Sequence, residues 1–249
     1  MKHVVGVVVA LPQEAYALFG RLGWSPQGGF SAKAERFENL LAMVVVCGQG
    51  QERSRQATHF LLKSDPLFVL NLGVAGALVE SLRAGDLFVP RAVIHRSSEL
   101  KLDSPIKDAL NRLLRTQGME FRQGLLCTHD AAVETPSEKA DLHRSTGAEI
   151  VDMEAYGIAS ACSSCDVPLY VVKSVADSLF QSIPGAITSC LAETGHISFV
   201  RFTMTILSRP WLIPKLLEMQ QSFKAALFSL EQVKSVFSSN LSKNMLNSR

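Results

Sequence analysis

The chain has 249 residues, of which 47% are hydrophobic and 19% are charged. This composition predicts a sizeable core, in one large α/β domain or two small ones, and excludes an intrinsically disordered protein. The 25 lysines and arginines exceed the 23 acids by only two, which excludes the electrostatic footprint of a nucleic-acid-binding protein.

The first predicted element is a strand over residues 4–11, a β-branched run typical of a strand buried on both faces. Pro12 suits the first position of a helix, and Glu14 then falls in the first turn of that helix. The apolar run is too short to span a membrane and lacks a signal-peptide cleavage pattern. We therefore expect a soluble protein.

The strand-turn-helix scheme recurs along the chain. A strand over 41–47 leads through Gly48 and Gly50 to a helix over 52–62, and a strand over 67–72 runs into a glycine turn within GVAGAL. Further strands are predicted over 86–89, 92–96, 124–127 and 168–174, and further helices over 105–116, 137–145 and 154–164. The alternation predicts a single α/β domain whose mixed, mostly parallel twisted sheet is flanked by helices.

The alternation of predicted strands and helices ends after Asp177. A long loop is predicted there, followed by helices over 198–210 and 210–237. The second helix has one apolar stripe, formed by Leu216, Met219, Phe223, Leu227, Leu230, Val233 and Phe237. The stripe fits a helix packed on the core or on a partner subunit, and it also fits a lid over an apolar ligand or a membrane surface. Residues from 238 onward are expected to fray.

The five cysteines are irregularly spaced and predict no disulfide framework, which favours a reducing cytoplasm. Cys162 and Cys165 form a lone CxxC without a second pair or nearby histidines. Zinc or redox use is one interpretation of this pair, and two thiols packed on a helix is the other. We expect no metal.

Three carboxylates are expected at the edge of the sheet: Glu14 and Asp177 after two of the predicted strands, and Glu154 after the short segment IVD. Ligands of open α/β sheets collect at the carboxyl ends of strands, and cleavage of a glycosidic bond needs an acid for the leaving group and a base for water. Each carboxylate could instead be a solvated acid that favours the start of a helix. For Glu154, in the stretch IVDMEAYGIASAC, the alternatives are such a helix-start acid or a carboxylate held in a pocket.

Other kinds of chemistry lack their sequence signals. CGQGQERS has two glycines but no third, so the dinucleotide fingerprint is incomplete. His129 has no evident serine or cysteine partner, so a catalytic triad is not supported. We expect no cofactor.

Four motifs together resemble the nucleoside phosphorylase superfamily, in particular its methylthioadenosine/S-adenosylhomocysteine nucleosidase branch. They are, in the family's order, GVVVALPQEA, NLGVAGALVESLRAGDLFVP, IVDMEAYGIA and VKSVADS. The resemblance covers about residues 4–178. The remainder, including LSRPWLIPKLLEMQQSFKAAL, is similar to the hopanoid-associated phosphorylase subfamily, whose members are implicated in removing adenine from the lipid-bearing nucleoside adenosylhopane.

The resemblance implies a role for each matching position. Asp177 would be the general acid that protonates N7 of the leaving purine, and Glu14 the base that activates water. Glu154 would hold the ribose hydroxyls, with each charge-assisted hydrogen bond stabilising by about 1.5–3 kcal/mol. The remaining substrate-binding positions would be Met153 against the sugar, Ala132 and Val133 at the base edge, and Val74, Ala75 and Gly76 in the glycine segment.

Some positions depart from the family's pattern. Val74, Ala132 and Ala176 stand where nucleosidases have a hydroxyl residue, an aromatic residue and a serine, and each lost hydroxyl contact would cost roughly 0.5–1.5 kcal/mol. The phosphate-binding arginine of the phosphorylases maps to Asn71. We therefore expect hydrolysis rather than phosphorolysis.

Three functions stay open. The first is cleavage of an adenosylhopane-type nucleoside with an apolar 5′ substituent. The second is a general methylthioadenosine/S-adenosylhomocysteine or futalosine nucleosidase, and the third is a nucleoside-binding module without catalysis. The resemblance further implies a homodimer, with transient membrane-surface contact as a further option. We divide the chain into a phosphorylase-like domain over 1–208 and a helical extension over 209–249.

Overall fold

The computed structural model describes residues 4–37, 39–183 and 210–245. Within these ranges the chain forms one mixed sheet flanked by helices on both faces, as predicted. Its strands are β1 (Val4–Val9), β2 (Ser25–Gln27), β3 (Phe30–Phe37), β4 (Leu40–Val46), β5 (Val69–Ala77), β6 (Leu87–Phe88), β7 (Ala92–His95), β8 (Ser98–Lys101), β9 (Leu125–Thr128), β10 (Ile150–Asp152) and β11 (Leu169–Asp177). Its helices are α1 (Pro12–Phe19), α2 (Gln51–Leu62), α3 (Pro105–Thr116), α4 (Pro136–Thr146), α5 (Ala155–Ser164) and α6 (Ile213–Met245).

Strand β5 is the centre of the sheet. It pairs in parallel with β1 on one side and with β11 on the other. Beyond the end of β1, residues Gly76 and Ala77 of β5 pair antiparallel with β10. The carboxyl ends of β1, β5, β10 and β11 therefore meet in one region, which is where open α/β sheets bind ligands.

The core has two layers because the strands of this sheet are apolar on both faces. On β1, Val5, Val7 and Val9 pack toward α1, α3 and α6, whereas Val8 packs toward α2 and α5. All four side chains have no exposed surface. The β-branched run of β1 is thus explained by burial on both sides.

The predicted glycine turn after residue 72 is wrong, because β5 continues as a strand to Ala77. The two glycines permit close approach of charged groups rather than a turn. A Cβ at Gly73 would lie 3.3 Å from both Glu14 Oε1 and Lys173 Nζ, and a Cβ at Gly76 would lie 3.0 Å from Asp177 Oδ2.

Helix α6 packs on the core through the C-terminal half of the predicted stripe. Leu230, Val233 and Phe237 are fully buried, and the ring of Phe237 packs edge-on against Tyr170 at 6.0 Å. The tail predicted to fray from residue 238 instead continues the helix to Met245, with Leu241 fully buried one turn after Phe237. Among the described residues, the N-terminal part of α6 has exposed apolar side chains, including Leu217 and Phe228.

Most other elements agree with the sequence within a few residues, and α3 has the predicted bounds. Strands β2, β3, β8 and β10 were not predicted. The helix predicted over 198–210 falls almost wholly outside the described residues. The boundary proposed at residue 208 also lies outside them and stays a prediction. In the part of the chain that the structure describes, no helix combines the length and apolarity needed to cross a bilayer.

Candidate active site

One cavity lies where the carboxyl ends of β1, β5, β10 and β11 meet. The nine residues predicted to form the site all line it: Glu14, Val74, Ala75, Gly76, Ala132, Val133, Met153, Glu154 and Asp177. Gln49, Asp152, Ala176 and Ile183 also line it. The sheet therefore brings together acids that are up to 163 positions apart in the chain.

Glu14 is held by backbone amides from the segment that follows β1 and from strand β5. Its Oε2 accepts from the N–H groups of Ala10 (3.0 Å) and Leu11 (2.8 Å), and its Oε1 accepts from the N–H of Val74 (2.9 Å). These bonds fix the carboxyl group between the start of α1 and strand β5. Burial raises the pKa of Glu14 above its ordinary value, although the amides and Lys173 oppose the shift. A carboxylate with a raised pKa is a stronger base toward water.

Glu154 is a buried pocket carboxylate and not a solvated helix-start acid, since only 7% of the residue is exposed. Its Oε1 accepts from the N–H of Gly50 at 3.0 Å, and its Oε2 from the N–H of Met153 at 3.3 Å. Burial, and then the charge of Asp152, raises the pKa of Glu154 to about 8. The helix-start role falls to Asp152, which accepts from the N–H of Ala155 at 3.0 Å.

Helices α2 and α5 touch directly behind Glu154. A Cβ at Gly157 would lie 2.1 Å from the carbonyl oxygen of Gln51, so only glycine permits this spacing. Ser54 Oγ donates to the backbone carbonyl of Glu154 at 2.9 Å. Because Gly50 precedes α2, the carboxyl group and the backbone of Glu154 are both held by this segment.

A buried ion pair between Asp152 and Lys173 lies beside the predicted acids, and the sequence reasoning missed it. Lys173 Nζ is 2.9 Å from Asp152 Oδ2, with both side chains almost fully buried. Burial by itself lowers the pKa of Lys173, but the carboxylates of Asp152, Glu154 and Glu14 raise it above its ordinary value. The available signal was a lysine within the otherwise apolar strand LYVVKSVAD.

Asp177 forms a second buried ion pair, with Lys139 of α4. Lys139 is completely buried, and Asp177 Oδ2 accepts from its Nζ. Burial raises the pKa of Asp177 above its ordinary value, and the charge of Lys139 opposes that shift. No local pattern predicts this pair, because Lys139 is one of several charged residues of α4 and is the only buried residue of that helix.

The segment before α4 lines another part of the cavity. Ala132 is exposed and Val133 is buried. Neither offers an aromatic face, so stacking on a purine is absent from these two positions.

The charged residues that line the cavity are all acids: Glu14, Asp152, Glu154 and Asp177. The two lysines of this region, Lys139 and Lys173, lie behind the acids and are paired with them. Asn71 is fully buried, and its Nδ2 donates to the carbonyl of Val8 at 3.1 Å, away from the cavity lining. The described walls of the cavity therefore offer an anion no unpaired cation.

Comparisons with known proteins agree with this architecture. The sequence profile of the phosphorylase superfamily matches residues 4–193. The 5′-methylthioadenosine/S-adenosylhomocysteine nucleosidase of Shewanella loihica is 25% identical over 217 residues, which are 78% of this chain and 94% of that protein.

Solved structures give the same result for the fold. The 5′-methylthioadenosine/S-adenosylhomocysteine nucleosidase of Helicobacter pylori, crystallised with butyl-thio-DADMe-Immucillin-A, superposes with a TM-score of 0.71 at 17% identity and covers 94% of this chain and 99% of its own. The futalosine hydrolase of Helicobacter pylori superposes with a TM-score of 0.70 at 18% identity and covers 99% and 98%. At these identities the likeness is one of fold.

Proposed function

This chain belongs to the phosphorylase superfamily, and from that premise we propose that it hydrolyses the N-glycosidic bond of a 5′-substituted adenosine and releases adenine. The observation that carries the proposal is that Glu14, Glu154 and Asp177, from three distant segments, line one cavity. Its curated relatives are named as nucleosidases that act on adenine nucleosides. The acids supply the groups that such a cleavage needs.

In this proposal Asp177 and Glu14 act from two ends of the same stretch of β5. The carboxyl group of Asp177 lies beside Gly76, and the carboxyl group of Glu14 lies beside Gly73 and Val74. Three residues of strand span about 10 Å, which is comparable to the wide carboxyl separation that leaves room for water in inverting glycosidases. Asp177 would protonate the leaving purine, Glu14 would take a proton from water, and Glu154 would accept hydrogen bonds from the ribose hydroxyls.

Water is the proposed acceptor because of the charge around the cavity. A phosphate dianion would find no unpaired cation among the described residues that line the cavity, because both lysines of the region are already paired with acids. Burial of an anion without a paired cation is strongly unfavourable. We therefore expect a rate that is independent of phosphate, and an adenine yield that equals the yield of the free sugar.

The candidate substrates differ in their 5′ substituent. The names of the relatives favour the small thioethers methylthioadenosine and S-adenosylhomocysteine, and we propose these as the first substrates. An adenosylhopane-type substrate is the second candidate. The observation in its favour is Phe180, which is 66% exposed on the segment between Asp177 and Ile183 of the cavity wall and could contact an apolar chain.

The test measures adenine release from methylthioadenosine, S-adenosylhomocysteine, futalosine and an adenosine with a long apolar 5′ chain, each with and without phosphate. Release from a thioether substrate without phosphate is expected. Folded protein that releases adenine from none of them would contradict the proposal. Tight nucleoside binding that is unchanged in Asp177→Asn, without turnover, would favour the binding module instead.

The assembly state and the membrane contact remain proposals that depend on the family resemblance. We propose a homodimer, to be measured by light scattering coupled to gel filtration. Membrane contact would use the exposed apolar side chains at the start of α6, and vesicle flotation tests it.

A further inference from the structure

We infer that Lys139 is a positioning residue of the reaction: it holds Oδ2 of Asp177, leaves Oδ1 to carry the proton that goes to the purine, and makes that proton more acidic. The inference rests on the proposed role of Asp177 as general acid.

The ammonium group of Lys139 is fully occupied. Its three hydrogens are accepted by Asp177 Oδ2, by the carbonyl of Ser178 at 2.7 Å and by the carbonyl of Gln181 at 2.9 Å. The side chain has no exposed surface. A buried ammonium with three acceptors has no hydrogen left for a substrate. Lys139 therefore acts on a substrate only through Asp177.

The two oxygens of Asp177 differ as a result. Oδ2 accepts from Lys139, whereas Oδ1 has no hydrogen-bond partner among the residues that the structure describes, and Asp177 lines the cavity. A proton on the carboxyl group is therefore favoured on Oδ1. The neighbouring cation stabilises the anion that remains after the proton leaves, which strengthens the acid toward a weakly basic purine nitrogen.

No other described cation faces Asp177. The part of β5 beside it contains Val74, Ala75 and Gly76, and the segment 178–183 contains no ionisable side chain. Across the cavity stand the acids Glu14, Asp152 and Glu154. On α4, His143 lies one turn beyond Lys139 and contacts the carbonyl of Ala148 at 2.7 Å. Among the described residues, Lys139 therefore supplies the positive charge that stabilises the carboxylate of Asp177.

Lys139 also ties the acid to the wall of the cavity. Its bonds to Ser178 and Gln181 hold the segment that follows Asp177, and Ile183 of that segment donates to the backbone carbonyl of Glu134 at 2.8 Å. The same lysine therefore sets both the charge and the direction of the acid. These two effects are separable by substitution, because glutamine keeps two donors but removes the charge.

The experiment compares pH profiles of adenine release from methylthioadenosine for the wild type, Lys139→Gln, Lys139→Met and Lys139→Arg. Loss of the cation is expected to move the basic limb of kcat/KM upward by about 1–3 pH units and to lower the low-pH plateau by about tenfold. Lys139→Arg retains the charge and is expected to retain the basic limb. The matched control is Lys107→Met, which removes a buried lysine of α3 that pairs with Asp103 at 3.4 Å and does not line the cavity.

A basic limb that stays in place in both neutral variants would overturn the inference. So would an equal shift in Lys107→Met. Loss of a cooperative unfolding transition in both neutral variants, with Lys139→Arg folded, would also overturn it, because Lys139 would then serve stability. If the wild type releases no adenine, it is the proposed function that fails, so the two failures are distinguishable.

Discussion

Asp177 and Glu154 are both buried carboxyl groups, but their partners differ. Asp177 has a cation against one oxygen, whereas the hydrogen-bond partners of Glu154 are backbone amides. Burial raises the pKa of each. Asp177 is thereby suited to release a proton to a leaving group, and Glu154 is suited to gain stability as an anion when sugar hydroxyls donate to it.

Replacement of Asp177 with asparagine is expected to lower kcat by about 10²–10⁴-fold, because the leaving purine loses its proton donor. The change is nearly isosteric, so binding of adenine should change little. The measurement is adenine release under single-turnover conditions. Turnover near that of the wild type would contradict the assignment of the acid.

Replacement of Glu154 with glutamine is expected to stabilise the protein relative to the wild type, and this difference in unfolding free energy is expected to grow as the pH rises. The folded-state pKa of Glu154, about 8, lies above its ordinary value of 4.5, so the folded protein binds more protons than the unfolded chain between these pH values. The stability that the protonated side chain of Glu154 contributes to the folded state is fully present below about pH 4.5 and is lost as the pH rises through about 8. The gap in unfolding free energy between Glu154→Gln and the wild type should therefore widen over this range, to the order of 1–4 kcal/mol.

Urea unfolding of both proteins at pH 5, 6, 7 and 8 measures this gap. Glu138→Gln serves as the control, since that capping-box acid lies on the surface and away from the cavity. A gap that stays constant with pH would contradict the buried, high-pKa state of Glu154.

At the residue scale, the sequence allowed the acids to be predicted but not their counter-ions. Each of the three acids, Glu14, Glu154 and Asp177, follows a strand. Residues at the carboxyl ends of strands are expected at the ligand-binding edge of an open α/β sheet. Lys139 and Lys173 lie on a helix face and inside a strand, where local pattern does not reveal a distant partner. Ion pairs between residues 139 and 177, or 152 and 173, depend on tertiary contacts.

At the scale of elements, β5 explains why glycine occurs twice in GVAGA. Each glycine leaves room for a carboxyl group above the strand, as the Cβ distances at Gly73 and Gly76 demonstrate. Glycine within a strand often marks such close approach. The sequence-based prediction of a turn was wrong because the same residue type serves both purposes.

Replacement of Gly76 with alanine is expected to reduce kcat by about 10²-fold, since its Cβ would displace the carboxyl group of Asp177 and a displacement near 1 Å can have that effect. The fold should persist, because strands accommodate alanine. The control is Gly118→Ala, in a remote turn with a φ of 75° and no atom within 4 Å of the new Cβ. That variant should lose stability through backbone strain but keep its activity.

The strands that the sequence did not predict are either short or polar. Strand β10 has three residues, and β3, FSAKAERF, has three charged side chains, none of which is buried. Such strands give a weak apolar period and take their conformation from pairing with neighbours. Helix α3 was predicted with its bounds because Ser104 caps it and Pro105 begins it.

At the scale of the molecule, the cavity is assembled from segments that span residues 10–183. The profile match over 4–193 and the two-sided coverage of the solved structures confirm the fold that the sequence predicted. A ligand in the cavity contacts several elements at once.

Adenine is therefore expected to stabilise the whole domain against heat. At 100 times its Kd, a ligand that binds only the folded state adds about 2.7 kcal/mol, which corresponds to a rise in Tm of roughly 5–10 °C for a chain of this size. Differential scanning fluorimetry measures the shift. Inorganic phosphate at the same concentration is the control and should give no comparable rise, and the absence of any shift with adenine would contradict a purine site here.

The parallel pairing of β5 with β11 also has a consequence during synthesis on the ribosome. Strand β11 begins at Leu169, a hundred residues after β5 begins at Val69. Until it emerges, the nascent chain has an apolar central strand with a bare hydrogen-bonding edge, which is a template for aggregation. Translation that pauses or stops before residue 169 should therefore yield chaperone-bound or insoluble fragments rather than a smaller folded unit.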